Sequence, residues 1–131
     1  MSSPEKPADH SDTIVYSPQT PAAKSPIQEG SAETAAWLEG HNISEVECLV
    51  PDMTGNARGK FIPAHQFLNR TDLKLPESIM VQTVTGEYTD EHWEFVEPTD
   101  TDMLLVPDPK SLRKVPWARE PTAQIIADCY K

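Results

Sequence analysis

Val46, Cys48 and Val50 alternate with Glu45, Glu47 and Leu49, and a period of two predicts a strand with one apolar face. Asp52-Met53-Thr54-Gly55-Asn56 follows as turn chemistry, because aspartate makes an Asx-turn and glycine accepts positive φ. Residues 57–62 then predict the returning strand of a hairpin, stopped by Pro63. Upstream, Ala32 to Leu38 is rich in helix formers, with Ser31 as cap and Gly40 as stop. This helix carries Trp37 and Leu38 toward a core. Pro63 to Leu68 predicts one or two further helical turns with proline at the first position.

Farther along, Ser78 to Thr85 predicts a strand, with Ile79, Val81 and Thr83 on one side and Met80, Gln82 and Val84 on the other. Residues 86–98 read as irregular, acidic and aromatic. Met103 to Val106, Leu112 to Val115 and Thr122 to Tyr130 complete the strands, each of the first two closed by proline. No alternation of strand and helix units is visible, which disfavours a doubly wound parallel sheet. The expected fold class is therefore α+β, a mixed sheet of about five strands with one or two short helices. Residues 1–30 differ in kind: Pro4, Pro7, Pro18, Pro21 and Pro26 interrupt a polar stretch whose one apolar cluster is Ile14-Val15-Tyr16. Such a segment buries too little to offset its ordering entropy. The expected organisation is a disordered tail over 1–30 and a folded domain over 31–131.

Charge narrows the partners. The 131 residues hold 11 Lys plus Arg against 21 Asp plus Glu, a net charge of −10. An acidic chain repels a phosphate backbone, so no nucleic acid is expected. No basic amphipathic stretch or long apolar run suggests a membrane. The polar start lacks the apolar core of a secretory signal, and the expected compartment is the cytoplasm. Cys48 and Cys129 then read as buried free thiols.

Several chemistries are missing from the pattern. There is no phosphate-cradling glycine loop and no GxSxG. His10, His41, His65 and His92 are scattered, with neither HExxH nor zinc spacing, and each reads as a surface or loop residue. Asp90, Glu91, Glu94, Glu97, Asp100 and Asp102 are dense but lack the spacing of a calcium loop. They read either as a solvated acidic loop or as a loop facing a cationic substrate.

Three stretches, in order, resemble the amino-terminal β-grasp domain of the glutamine synthetase family. The first runs from Val50 to Lys60, with Asp52, Gly55 and then Arg58-Gly59-Lys60, followed by Ile62-Pro63. The second is Asp100 to Asp108. The third is Val115-Pro116-Trp117, Ala123-Gln124 and Asp128-Cys129-Tyr130. On the residues themselves, Asp52 and Gly55 set a tight turn, and Gly59 lets neighbouring backbones approach. Arg58 and Lys60 read either as ordinary surface charge on a hairpin or as cations that pair with an adjacent subunit.

The resemblance implies an ATP-dependent ligase that activates the side-chain carboxylate of glutamate, which ammonia or an amine then attacks. It implies a ring of identical subunits, each active site lying between this domain and the catalytic domain of a neighbour. ATP and Mg or Mn would be bound in the complete enzyme, with no catalytic residue, metal ligand or cofactor in this chain. The chain alone is then expected to be an inactive portion of the ligase.

In ordinary members of the family the loop after the third strand resembles Asp-Gly-Ser-Ser. Here Thr85 stands where that aspartate would be, ahead of Gly86. Threonine cannot act as a carboxylate base, so the chain looks more like the γ-glutamyl-polyamine and γ-glutamyl-amine ligases, a likeness shared by Leu75 to Ile79 and Gln82 to Gly86. Glu87, Tyr88 and Trp93 become the residues expected to face the amine, a carboxylate pairing its charge and aromatic faces attracting it. Asp102 is expected either near the subunit boundary or as the start of a strand. Two classes of function remain: the ligase domain and a stand-alone β-grasp adaptor.

Overall fold

The computed structural model describes residues 31–70 and 72–131. The tail expected over residues 1–30, with Ile14-Val15-Tyr16, and the capping side chain of Ser31 lie outside the described residues.

Helix α1 (Ser31–Gly40) forms where the helix formers predict it, but its end differs. Gly40 is still helical, and the chain reverses at Asn42, whose φ is 52°. The Ile43 N–H donates to the Leu38 carbonyl at 2.9 Å and the Asn42 N–H to that of Glu39 at 3.0 Å. These paired bonds close the helix in the Schellman manner, and asparagine tolerates the left-handed position that usually takes glycine. Thr34 and Leu38 are buried and Trp37 is half-buried against the core.

The sheet is mixed, as expected. Strand β1 (Glu45–Pro51) pairs antiparallel with β2 (Ala57–Pro63), in register from Glu45↔Pro63 to Pro51↔Ala57. On its other edge β1 runs parallel to the last strand, β6 (Thr122–Tyr130), from Glu45↔Thr122 to Leu49↔Ile126. The far half of β6 pairs antiparallel with β4 (Asp102–Pro107), which pairs with the short β3 (Lys74–Pro76). The order is β2-β1-β6-β4-β3, with β5 (Arg113–Lys114) paired to β6.

Alternation along β1 buries Val46, Cys48 and Val50. They meet Leu105 of β4 and Ile125 and Ala127 of β6 in one core cluster. Helix α2 (Ala64–Phe67) follows Pro63 and adds Phe67, which is fully buried. Burying an aliphatic or aromatic side chain of this size contributes about 1.5–3 kcal/mol. Both cysteines are free; Cys48 is buried as expected, whereas Cys129 is half-buried. Among the described residues no helix is long and apolar enough to cross a membrane.

Two expected strands need correction. Residues 78–85 are not a strand: Glu77–Val81 is a 3-10 helix, and a turn follows it. The cause lies in where the backbone donors go. The Glu77 N–H donates to the Thr101 carbonyl at 3.1 Å, and the Ser78 N–H to the Asp100 carboxylate at 2.9 Å. Ser78 is buried at 4% exposure, so a polar residue occupies an interior position that alternation reserves for apolar ones. The sheet takes Lys74–Pro76 instead, a strand of three residues that is too short to show a period. Leu112 to Val115 shrinks to the two residues of β5. The stretch read as irregular holds one 3-10 helix, Asp90–Glu94.

Candidate functional site: a clamped loop beside an aromatic strip

The hairpin turn is organised by one carboxylate. Asp52 is 7% exposed, and its Oδ1 accepts the Thr54 and Asn56 N–H groups at 2.9 Å each and the Thr54 hydroxyl at 2.8 Å. Its Oδ2 accepts from Arg58 Nε at 2.9 Å. Burial alone would raise this carboxyl. The hydrogen bonds from the Thr54 side chain, Arg58, and the Asn56 and Thr54 backbone outweigh it and hold the value at about 2. Gly55 completes the turn at φ 83°.

Arg58 does not project as a free surface cation. Its Nη2 donates to the Thr83 carbonyl at 2.7 Å, which ties the hairpin to the loop after the 3-10 helix. That loop closes on itself. The Gly86 N–H donates to the same Thr83 carbonyl at 2.9 Å, and the Thr83 N–H donates to the Glu87 carbonyl at 2.9 Å. The Glu87 N–H returns to Thr83 Oγ1 at 3.0 Å. Gly86 sits at φ 85°, where a side chain is strained.

Thr85 and Glu87 meet inside the turn. The Thr85 hydroxyl donates to Glu87 Oε2 at 3.2 Å, and Thr85 Oγ1 lies 3.1 Å from Thr83 Oγ1. The exposed Glu87 carboxylate is therefore oriented by the Thr85 hydroxyl.

Beyond the turn, the Tyr88 hydroxyl bonds Ser78 Oγ at 3.0 Å, and Ser78 Oγ donates to Asp100 Oδ2 at 2.8 Å. Asp100 is held at φ 44° while its carboxylate receives both Ser78 donors. The Tyr88 ring lies 4.9 Å from the His92 ring, and His92 lies 4.0 Å from Trp93. His92 is fixed by its Nδ1, 2.6 Å from the Thr89 carbonyl. Tyr88 and Trp93 remain 47% and 55% exposed. A cleft of about 160 Å³ lies between the hairpin turn and this strip, lined by Met53, Met80, Gln82, Thr89, His92 and Phe95 among others.

Glu87, Tyr88 and Trp93 thus lie along one loop and strip. Asp102 does not join them: it is the exposed first residue of β4, opposite Pro76, and among the described residues no hydrogen bond or ion pair links it to that group. Lys60 is exposed on β2 and makes no ion pair among the described residues. Gly59 faces the Cys48 backbone so closely that an added Cβ would overlap its carbonyl oxygen. Ser78 and Thr83 were not singled out as site residues by the sequence, and Asp100 was read only as one acid of a dense acidic loop. Thr83 acts largely through its carbonyl, which no side-chain pattern records, while the turn chemistry around Pro98-Thr99-Asp100 carried the one available hint.

No family model matches the chain. Among characterised proteins it is 30% identical to a glutamate–isopropylamine ligase of Pseudomonas sp. over 96 residues, which is 70% of this chain and 21% of the ligase. Among solved structures it is similar to apo GmaS, with TM-score 0.54 and 22% identity over 73% of this chain and 20% of that one. It is also similar to a novel glutamine synthase homolog, with TM-score 0.55 and 18% identity over 66% and 21% of the two chains. The chain spans about a fifth of the length of these relatives. The sequence likeness and the shared fold both support an amino-terminal portion of a glutamine synthetase-family protein.

Proposed function

We propose that residues 31–131 form the amino-terminal domain of a ligase that joins an amine to the side-chain carboxylate of glutamate, and that the Thr83–Trp93 face forms the amine-side wall of an active site shared between subunits. The observation that carries this is the Thr85–Glu87 contact, 3.2 Å long, on an exposed loop beside open aromatic rings. An ammonium ion pairs with the Glu87 carboxylate while the faces of Tyr88 and Trp93 attract its charge. The amine must lose a proton before it attacks, and Glu87 is the loop carboxylate able to take it. The likeness to an isopropylamine-using ligase supports an amine over ammonia. So does the cleft beside His92, whose Met53, Met80 and Phe95 walls suit a small alkyl group.

ATP and Mg or Mn belong to the reaction that the family likeness implies. Among the described residues, no three His, Cys, Asp or Glu side chains gather in a group able to hold a metal. The family likeness supports assigning the phosphate and metal chemistry to the catalytic domains of the same and the neighbouring subunit in a homo-oligomeric ring, and no phosphate or metal step is routed through residues of this chain. The experiment is ATP-dependent γ-glutamyl amide formation by the protein as its gene encodes it, with isopropylamine, a polyamine and ammonium offered in turn. Faster turnover with an organic amine is expected. Equal or faster turnover with ammonium overturns the amine assignment, and a folded protein that makes no amide with any of them overturns the ligase assignment.

A further inference from the structure

We propose that Arg58 is a positioning residue for the amine wall: it pins the Thr83–Glu87 turn to the hairpin and so fixes where the Glu87 carboxylate stands. This rests on the amine-site assignment above. Three observations carry it. Arg58 divides its donors between two fixed acceptors on separate segments, with Nε to Asp52 Oδ2 at 2.9 Å and Nη2 to the Thr83 carbonyl at 2.7 Å. The Thr83 carbonyl is also the acceptor for the Gly86 N–H at 2.9 Å, so the atom that Arg58 grips is the one that closes the turn. Gly86 lies beside the guanidinium, and a Cβ there would stand 3.9 Å from Arg58 Nη1.

The anchor itself is rigid. Asp52 is buried and takes three further hydrogen bonds from Thr54 and Asn56, so the guanidinium is aimed by its carboxylate before it meets the loop. A planar guanidinium serves two acceptors in different directions with one side chain, whereas an ammonium is a single point charge on a flexible stem. Lysine at this position keeps the charge beside Asp52 and loses the second grip. The sequence alone allowed ordinary surface charge or pairing with an adjacent subunit for this arginine, and its bonds within the chain add a clamp between two segments.

The test compares Arg58→Lys and Arg58→Met in the protein as its gene encodes it. Hydrogen exchange at the Gly86 and Glu87 amides reads the loop without any substrate. In Arg58→Lys both amides should exchange about tenfold faster while the β1 and β6 amides stay protected. The KM for the amine should rise severalfold, with the KM for ATP unchanged. Arg58→Met should loosen the loop further; if it fails to fold, Arg58→Lys still decides. Unchanged exchange at Gly86 and Glu87 in Arg58→Lys overturns the positioning role. Faster exchange with an unchanged amine KM upholds the clamp and overturns the amine-site assignment instead.

Discussion

Gly59 stands against the backbone of Cys48, with β1 and β2 closer at this point than a side chain allows. A Cβ on Gly59 would overlap the Cys48 carbonyl oxygen and lie 2.9 Å from its carbonyl carbon and 3.0 Å from Leu49 Cδ2. The leucine end can turn aside, but the carbonyl cannot, because β1 is held on both edges by β2 and β6. Gly59→Ala should therefore cost about 3 kcal/mol, the upper end for overpacking an interior. The measurement is the urea midpoint at unchanged slope. A loss within the few tenths expected of a surface position would mean that the strands separate freely there.

The Asp52 carboxyl makes stability depend on acid. Its folded value, about 2, lies below the ordinary 3.8. The stability it contributes is thus complete above 3.8 and is lost as pH falls toward 2. Asp52→Asn keeps the shape and an acceptor for Thr54 and Asn56 but removes the charge opposite Arg58. The stability gap between the parent protein and Asp52→Asn should be constant near neutrality and shrink as pH drops through that window. Urea unfolding at a neutral and at an acidic pH reads the gap; a gap that does not narrow places the acid dependence elsewhere.

The two thiols should differ in reactivity. Burial, with a smaller contribution from the nearby Cys129 thiol, pushes Cys48 up to about 12. Cys129 is also raised, by burial and then by Asp128, but it is half-buried and nearer solvent. The thiolate is the reactive form, so iodoacetamide at neutral pH should label Cys129 first and reach Cys48 only when the sheet opens. Mass spectrometry of a labelling time course checks the order. The same shift implies that the contribution from the Cys48 thiol is present below 9.0 and is lost as pH rises toward 12.

The hairpin was legible because each of its parts rests on a local rule. Val46, Cys48 and Val50 carry a period of two, Asp52 and Gly55 carry turn chemistry, and both survive in the fold. Residues 78–85 misled for a nonlocal reason. Their alternation is real, yet the Ser78 donors are claimed by Asp100, 22 residues away, and a 3-10 helix forms instead. The site was visible only as residue types. Glu87, Tyr88 and Trp93 stood out by chemistry, but the bonds that orient them run through a backbone carbonyl at Thr83 and a buried Ser78, and neither leaves a mark on composition or period.

Glu87 and Thr85 together define the last prediction. Glu87→Gln keeps the length and an oxygen for the Thr85 hydroxyl but removes the charge that faces the amine and the oxygen that takes its proton. The amine KM should rise about tenfold, the scale of one charge-assisted hydrogen bond, and kcat should fall as well. Thr85→Asp works in the other direction. It restores a carboxylate where the family's usual loop carries one, two residues nearer the turn, and removes the hydroxyl that orients Glu87. Two neighbouring carboxylates then repel each other and compete for the same proton, so use of the organic amine should decline while use of ammonium rises. Steady-state rates with isopropylamine and with ammonium, measured side by side for both variants, decide it. If Glu87→Gln leaves the amine KM unchanged and Thr85→Asp leaves the preference unchanged, the amine does not meet this loop.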